Sequence, residues 1–241
     1  METHYVEVYR ELYERHWWWR AREDVVVDAL DALRPDRDWG DILDVGCGDA
    51  LIFPRLSSFG SLEGVESDAR LLSDETRARF KIHVRPFDET FDTGRRYGLI
   101  LFLDVLEHVS DPVALLGGAR RLLAPGGRVL ITVPAFRILW THHDALNQHL
   151  TRYRKAELAE QVRRAGLTPT SLRYFSHWTF PAKLLVRAKE RLLRPQDVPP
   201  GVPPRAVNET LYRLSRLEER LLRPLRLPFG SSLLGVAGAG P

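Results

Sequence analysis

Short apolar runs alternate with amphipathic stretches through more than half of the chain. The apolar runs cover residues 42–45, 62–65, 82–84, 99–103 and 129–133, and candidate helices lie near 51–58, 68–79 and 112–124. Strands that alternate with helices predict a parallel sheet with crossover connections. The pattern therefore predicts an α/β protein.

Both ends of the chain add helices to this pattern. Residues 1–34 carry apolar and aromatic groups at helical spacing, and Pro35 ends that segment. Residues 135–153 are rich in His, Trp and Arg and follow no clean period. Further on, the pattern predicts a helix from Lys155 to Ala165, strands at 170–175 and 231–237, and two basic helices near 180–193 and 205–226, separated by the proline-rich segment 195–204.

Composition limits the class of protein. Apolar residues make up 44% of the 241 residues, enough for the core of one large domain. The absence of an apolar run of about 18 residues argues against a membrane-spanning helix. The start of the chain does not resemble a secretory signal, and the single cysteine, Cys47, excludes an internal disulfide. We therefore expect a cytoplasmic protein.

The formal net charge of +3 is unevenly distributed. Residues 181–226 contain eleven Lys and Arg against five Asp and Glu, a local net charge of +6. A basic surface of this kind suits anionic lipid, nucleic acid or an acidic substrate. We favour a solvated helix face, with peripheral membrane contact through the basic helices as the second interpretation.

A glycine-rich turn follows the first apolar run. Residues 41–50 lead from a predicted strand through Gly46 and Gly48 into a predicted helix. Glycines permit positive φ and let a ligand approach the backbone, and the start of a helix offers free N–H groups. The turn therefore predicts a nucleotide or nucleoside ligand beside it, with a purely structural turn as the alternative.

An acidic residue, Glu66, ends the next apolar run about twenty residues later. A carboxylate in this place accepts hydrogen bonds from both ribose hydroxyls of a nucleoside. Ala50 stands where the phosphate-binding fingerprint has its third glycine. The missing glycine favours a cofactor without phosphates.

Three polar residues, Asp104, Glu107 and His108, follow the fourth apolar run. Ligands of open α/β sheets bind outside the carboxyl ends of the strands, where these side chains are expected. They therefore belong to the candidate site, although capping of the next helix or bracing of the loop is the alternative for Glu107 and His108.

Four motifs form a specific set through their order and spacing. They are Asp44-Val45-Gly46-Cys47-Gly48, Glu66, Asp104-Val105-Leu106-Glu107-His108 and Leu123-Ala124-Pro125-Gly126-Gly127. As a set they resemble the motifs of class I S-adenosylmethionine-dependent methyltransferases, in particular the small-molecule type related to the ubiquinone-biosynthesis O-methyltransferases. Segments 16–22, 140–153 and 227–235 resemble a bacterial branch of that family.

The resemblance covers roughly residues 16–177 and implies a Rossmann-like architecture. We expect a mostly parallel seven-stranded sheet with an antiparallel last strand. An N-terminal helical lid is expected at 1–35, followed by a methyltransferase domain at 36–241 with a helical substrate-side insertion at about 178–226.

The same resemblance implies S-adenosylmethionine as the methyl donor, S-adenosylhomocysteine as the product and a small molecule as the acceptor. By that resemblance, the methionine end of the cofactor is lined by Asp44, Gly46, Cys47 and Gly48, and its ribose is bound by Glu66. The cofactor's amino group meets Leu103 and Asp104, and its carboxylate meets Arg22 in a charge-assisted fork. The adenine is expected near Phe87 and Asp88.

The chain departs from the family pattern in three places. Ala50 replaces a glycine, which we expect to matter little because one methyl group is small. Gly98 stands where an aspartate usually opens the fourth strand, and Thr151 replaces an arginine of the substrate-side motif.

The reaction implied is in-line transfer of a sulfonium methyl to an acceptor, with a hydroxyl oxygen favoured over nitrogen or carbon. A general base raises the rate of such a step by about 10²–10⁴-fold. The catalytic candidates are His143 and His149, with Asp144 to orient one of them and His108 nearby. Trp140, Arg152 and Tyr153 are the candidates for acceptor binding. Loop bracing or metal binding is the alternative for these histidines, and we assign no metal.

Other classes of function remain as rivals. A nicotinamide-dependent oxidoreductase shares the glycine turn and the ribose acid, but not the Leu-Glu-His motif. A non-catalytic S-adenosylmethionine-binding protein shares all cofactor residues. A nucleic-acid methyltransferase ranks lower, because the sequence has neither a zinc-type cysteine set nor an Asn-Pro-Pro-Tyr-like tetrapeptide.

Overall fold

Seven strands form one sheet in the computed structural model of this chain, which describes residues 10–35, 38–192 and 201–240. The strands are β1 (Asp41–Val45), β2 (Ser61–Glu66), β3 (Lys81–Val84), β4 (Tyr97–Leu103), β5 (Leu123–Pro134), β6 (Leu167–Phe175) and β7 (Ser232–Ala239). Their order is β3-β2-β1-β4-β5-β7-β6, and β7 is antiparallel to β5 and β6. The expected mostly parallel sheet with an antiparallel last strand is confirmed.

Helices connect the strands and extend both ends of the described chain. They are α1 (Trp17–Leu33), α2 (Phe53–Leu56), α3 (Asp74–Arg79), α4 (Pro112–Leu122), α5 (His142–Leu146), α6 (Lys155–Arg164), α7 (Thr179–Leu192) and α8 (Arg205–Leu222). Residues 10–15 are also helical. Among these helices, none combines the length and the apolar character that a membrane span requires.

Local capping explains where several helices begin. Asp111 accepts a hydrogen bond from the backbone N–H of Ala114 (3.0 Å), and Pro112 occupies the first turn of α4. The single helix predicted over 68–79 is wrong, because Ser73 caps a new helix there. The result is a short 3₁₀ turn at Ala69–Leu71 followed by α3.

The sheet is covered by apolar side chains on both faces. In β4, Ile100 and Phe102 belong to one buried cluster, and Leu99 and Leu101 belong to the other. Successive side chains of a strand point to opposite faces of the sheet. A strand that is buried on both faces therefore has a continuous apolar sequence. This is why the apolar runs predicted the inner strands.

The glycine that opens β4 is required by a close backbone contact. A Cβ atom on Gly98 would lie 1.9 Å from the carbonyl oxygen of Trp39. No side chain fits there, so the aspartate usual in the family is sterically excluded at this position. Gly98 therefore differs from the family pattern because the backbone of Trp39 packs directly against the start of β4.

The segment around the start of α1 and the helix α8, predicted as lid and insertion, are in direct contact. The side chain of Asn208 in α8 accepts from the N–H of Trp17 (2.8 Å) and donates to the carbonyl oxygen of Arg15 (2.8 Å). Further along, the Tyr212 hydroxyl donates to Asp24 (2.7 Å). These polar contacts tie α1 to α8 on one side of the sheet.

Candidate functional site

The predicted cofactor residues gather where β1, β2 and β4 end. Because these strands are parallel, their carboxyl ends lie at the same edge of the sheet. Asp44 is the second-last residue of β1, Glu66 ends β2, Leu103 ends β4, and Asp104 follows it. The structure thus brings these residues together at the ligand-binding edge of an open α/β sheet.

The glycine turn after β1 is shaped by left-handed backbone. Gly46 and Gly48 have φ angles of +73° and +52°. A Cβ atom on Gly46 would lie 2.8 Å from the side chain of Val105. Cys47 lies between them, and burial raises the pKa of its thiol, which keeps it protonated.

Ala50 shows that the missing third glycine has a conformational effect. This alanine is buried and has a φ of +50°, in the region that favours glycine. A left-handed conformation costs a residue with a Cβ atom about 1–2 kcal/mol. Our expectation that the change matters little considered only the size of the methyl group and left out this strain.

The Glu66 carboxylate is held by two backbone donors. One oxygen accepts from the N–H of Gly48 (3.0 Å), and the other accepts from the N–H of Asp68 (2.8 Å). The oxygen bonded to Gly48 keeps a second lone pair, and the other oxygen also meets the Ser67 hydroxyl at the long distance of 3.5 Å. A ligand hydroxyl that takes the place of Ser67 would let the group accept from two ligand hydroxyls. This fixed orientation suits hydrogen bonds to a ribose, and the role of Glu66 there stays a prediction.

A buried oxygen of Asp44 lacks a hydrogen-bond donor among the described residues. Burial raises the pKa of Asp44 to about 7, with Arg22 lowering it and the charge of Glu66 raising it further. An ionised carboxylate in this place therefore needs a cationic or donor group nearby. The amino group and sulfonium of S-adenosylmethionine provide such charges.

The buried Arg22 of α1 reaches the end of β4. Its Nε lies 2.7 Å from a carboxylate oxygen of Asp104, and its Nη2 donates to the Thr132 hydroxyl (2.8 Å). That hydroxyl donates to the other oxygen of Asp104 (3.1 Å). Asp104 has a φ of +58°, so this network holds a strained residue. Contact between Arg22 and the cofactor carboxylate stays a prediction.

The two residues predicted near the adenine lie on the loop after β3. The Phe87 ring packs against Phe91, with 5.0 Å between centroids. Asp88 is exposed, and the hydroxyl and N–H of Thr90 donate to its carboxylate, which lowers its pKa. Their contact with an adenine stays a prediction.

Asp144 is the centre of the predicted acceptor side. One of its oxygens lies 2.8 Å from Nδ1 of His149 and accepts from Nε of Arg152 (2.8 Å). The other oxygen accepts from the N–H of Thr141 (2.9 Å). Burial alone would raise the pKa of Asp144, but the hydrogen bonds from His149 and Arg152 hold it well below its usual range. Asp144 is therefore ionised and orients His149.

A second buried carboxylate, Glu107, lies beside two histidines. The rings of His108 and His149 meet edge to face, with 4.8 Å between centroids. Neither oxygen of the fully buried Glu107 has a hydrogen-bond partner among the described residues. Burial, with the charge of Asp104 adding to it, raises the pKa of Glu107 well above its usual range. Burial thus favours the protonated form of Glu107.

The cluster of Glu107, His108 and His149 also has the donor atoms of a metal site. One donor atom from each residue lies within 4.8 Å of the others. Carboxylate and imidazole groups are ordinary ligands of zinc and related metals, and Asp144 would orient His149 as an outer partner. The sequence places Glu107 in the candidate site with capping or bracing as the alternative, and metal binding is an alternative there for the later histidines, with no metal assigned.

The remaining candidates take up different places. His143 is exposed, and its Nε2 lies 3.0 Å from the amide nitrogen of Asn147. Arg152 and Tyr153 are almost fully buried. They donate to the carbonyl oxygens of Ala135 (3.0 Å) and Leu106 (3.0 Å), and Trp140 follows the 3₁₀ turn Arg137–Leu139. Arg152 thus braces the segment after β5 and Tyr153 the segment after β4, and their contact with an acceptor stays a prediction.

Comparison with known proteins gives a family match. A family model described as "Methyltransferase domain" matches residues 18–172, more than half of the chain. The ubiquinone biosynthesis O-methyltransferase of Hydrogenovibrio crunogenus is 27% identical over 158 residues, which cover 62% of this chain and 60% of that enzyme. The match thus spans less than two thirds of that relative.

Solved structures share the fold at low identity. The methyltransferase in complex with the Haloferax volcanii Trm112 methyltransferase activator has a TM-score of 0.63 and 19% identity, over 98% of this chain and 95% of that chain. The Haemonchus contortus phosphoethanolamine N-methyltransferase 2, in complex with S-adenosyl-L-methionine, has a TM-score of 0.58 and 17% identity, over 89% of this chain and 52% of that chain.

Proposed function

Because this chain belongs to the class I S-adenosylmethionine-dependent methyltransferases, we propose that it methylates a hydroxyl oxygen of a small-molecule acceptor. The observation that carries the choice of oxygen is the contact between His149 and Asp144 (2.8 Å) beside the end of β4. The relative from Hydrogenovibrio crunogenus, an O-methyltransferase by name, supports the same choice.

The cofactor side of the proposal uses the turn after β1 and the ends of β2 and β4. S-adenosylmethionine supplies an activated methyl group on a positively charged sulfur. Glu66 orients the ribose through its remaining lone pairs, and Asp44 lies beside the cationic methionine end. Gly46 and Gly48 leave room for the ligand against the backbone. Phe87 and Asp88 stay assigned to the adenine.

The acceptor side of the proposal removes one proton. With its Nδ1–H bonded to Asp144, neutral His149 presents Nε2 as a proton acceptor. As the oxygen–carbon bond forms and the sulfur–carbon bond breaks, the hydroxyl proton passes to this nitrogen. The ionised Asp144 stabilises the imidazolium that results, and such a base contributes about 10²–10⁴-fold to the rate. His143 is the second candidate for the base.

Calorimetry tests the cofactor site directly. S-adenosylmethionine and S-adenosylhomocysteine are titrated into the wild type, into Glu66→Ala and into Glu160→Ala, which removes an exposed carboxylate of α6. We expect binding by the wild type and by the Glu160 variant and its loss in the Glu66 variant. Absence of binding to the wild type would contradict the proposed function.

Methyl transfer itself is followed by release of S-adenosylhomocysteine across a panel of phenols, amines and carboxylic acids. Turnover of phenols that falls in His149→Gln supports the hydroxyl acceptor and the proposed base. Cofactor binding without turnover of any class would favour a non-catalytic S-adenosylmethionine-binding protein.

A further inference from the structure

One face of α7 covers the segment that follows β5. Phe180, Lys183, Arg187 and Glu190 are spaced by three, four and three residues, so they share one side of the helix. On this face, the Phe180 ring packs on Phe136 with 5.5 Å between centroids. Nη1 of Arg187 donates to the carbonyl oxygen of Arg137 (2.9 Å), and Glu190 accepts from the N–H of His142 (3.0 Å).

Lys183 lies between Phe180 and Arg187 on that face. Its neighbours on either side contact residues 136–142, so its side chain is directed toward the same segment. Lys183 is half-buried, and no hydrogen bond or ion pair to it exists within the described part of the chain. A half-buried ammonium group without such a partner can accept an anionic group of a bound molecule as its counter-ion.

The charges around Lys183 belong to the acceptor side of the site. Burial lowers the pKa of Lys183 to about 8, Arg152 lowers it further, and the carboxylates of Asp144 and Asp104 oppose this effect. Both carboxylates already have cationic partners, Arg152 for Asp144 and Arg22 for Asp104. The Lys183 ammonium is therefore the charge in this group that lacks a counter-ion of its own.

Aromatic rings continue from Phe180, one turn before Lys183 on the same face of α7. Phe136 packs on Tyr174 with 4.7 Å between centroids and on Phe180 with 5.5 Å, and Phe180 packs on Phe229 with 5.6 Å. Phe136, Phe180 and Phe229 are not fully buried. Aromatic walls beside a cation suit a planar acid, because ring stacking and a charge-assisted hydrogen bond act together.

We propose that Lys183 binds an anionic group of the acceptor, and that the acceptor is an aromatic acid bearing the hydroxyl that is methylated. The inference rests on the proposed function, since it places the acceptor between α7 and the end of β4. A carboxylate and a phosphonate share the required chemistry, and both are used as probes.

The test is calorimetry on protein saturated with S-adenosylhomocysteine. The probes are 4-hydroxyphenylacetate and 4-hydroxybenzylphosphonate, with 4-hydroxyphenylacetamide as the neutral control. A charge-assisted contact predicts that the better anion binds at least about tenfold more tightly than the amide. Lys183→Met is expected to reduce this preference to less than about twofold and to leave amide binding unchanged. Lys183→Arg is expected to restore it.

A matched control is Lys189→Met, which removes an exposed cation of the same helix and keeps the preference. Equal affinity for anions and amide in the wild type, or binding of none of the three probes, would overturn the proposal. Persistence of the preference in Lys183→Met would do the same. Failure of the wild type to bind S-adenosylhomocysteine would instead overturn the proposed function, and this inference with it.

Discussion

Asp144→Asn is the substitution whose effect follows most directly from the structure. The wild-type carboxylate is fully buried and accepts four hydrogen bonds, one each from His149 and Arg152 and two from the N–H and hydroxyl of Thr141. The asparagine amide has one accepting oxygen and one donating nitrogen. Its nitrogen therefore faces at least one donor in either orientation, and the buried Arg152 loses its counter-ion.

The magnitude follows from the loss of a buried charge partner. Removing one member of a buried ion pair costs about 3–5 kcal/mol. The lower end applies here, because Arg152 keeps its hydrogen bond to the carbonyl oxygen of Ala135. We expect a loss of about 3 kcal/mol in the free energy of unfolding, and for a chain of this size a fall in Tm of roughly 6–12 °C.

The pH dependence gives a second, independent measure. The pKa of Asp144 is depressed in the folded state, so its stabilisation is complete above the unfolded-state pKa of about 4 and is lost as the pH falls below it. Urea unfolding at pH 7 is expected to separate wild type and variant, and the difference should shrink below pH 4.

Asp111→Asn is the matched control, because asparagine caps a helix about as well as aspartate does. We expect a change below about 0.5 kcal/mol for this exposed residue. A difference below about 1 kcal/mol between Asp144→Asn and wild type at pH 7 would refute the assignment of Asp144 as a buried counter-ion. A difference that stays constant between pH 5 and pH 3 would refute its depressed pKa.

Four other predictions use single substitutions or metal removal. The pKa of Glu107 is raised in the folded state, so the wild type loses stability as the pH rises above about 4.3, whereas Glu107→Gln does not. Urea unfolding at pH 8 should therefore find that variant more stable, with the advantage shrinking toward pH 4. Gly98→Ala should lower the free energy of unfolding by more than about 2 kcal/mol, because its Cβ would lie 1.9 Å from the carbonyl oxygen of Trp39. A Tm equal to that of the wild type would contradict that contact. Ala50→Gly should raise the stability by up to about 1 kcal/mol, and a loss would show that its left-handed φ is not strained. Methyl transfer should survive dialysis against EDTA, and loss restored by Zn²⁺ or Mn²⁺ would assign Glu107, His108 and His149 as metal ligands.

The sheet and the cofactor edge were predictable because they depend on local patterns. Apolar runs that alternate with helices require parallel strands, and parallel strands place their carboxyl ends together. Asp44 is the second-last residue of its run, and Glu66 and Asp104 directly follow theirs. Their meeting at one edge of the sheet therefore followed from the sequence, before any contact between them was known.

The chemistry of Glu107 and Lys183 was beyond the sequence, because it depends on contacts between distant segments. The backbone carbonyl of Glu107 accepts from the N–H of Leu150 (2.7 Å), which closes the later loop over the carboxylate. Lys183 gains its place only when α7 packs on residues 136–142. The spacing of residues along the chain does not show that the Glu107 carboxylate is buried. Nor does it show that the Lys183 ammonium group lacks an ion-pair partner among the described residues.

Asp104 lies where the predicted cofactor side and the proposed acceptor side meet. Arg22 of α1 binds it at 2.7 Å, and the charge of Lys183 on α7 acts on the same carboxylate. Its left-handed backbone costs about 1–3 kcal/mol and persists only where the surroundings hold it. Part of this stabilisation comes from Arg22 of α1. The start of α1 is in turn hydrogen-bonded to Asn208 of α8. Displacing α1 would withdraw Arg22 from Asp104, so α1 is a structural part of the candidate site.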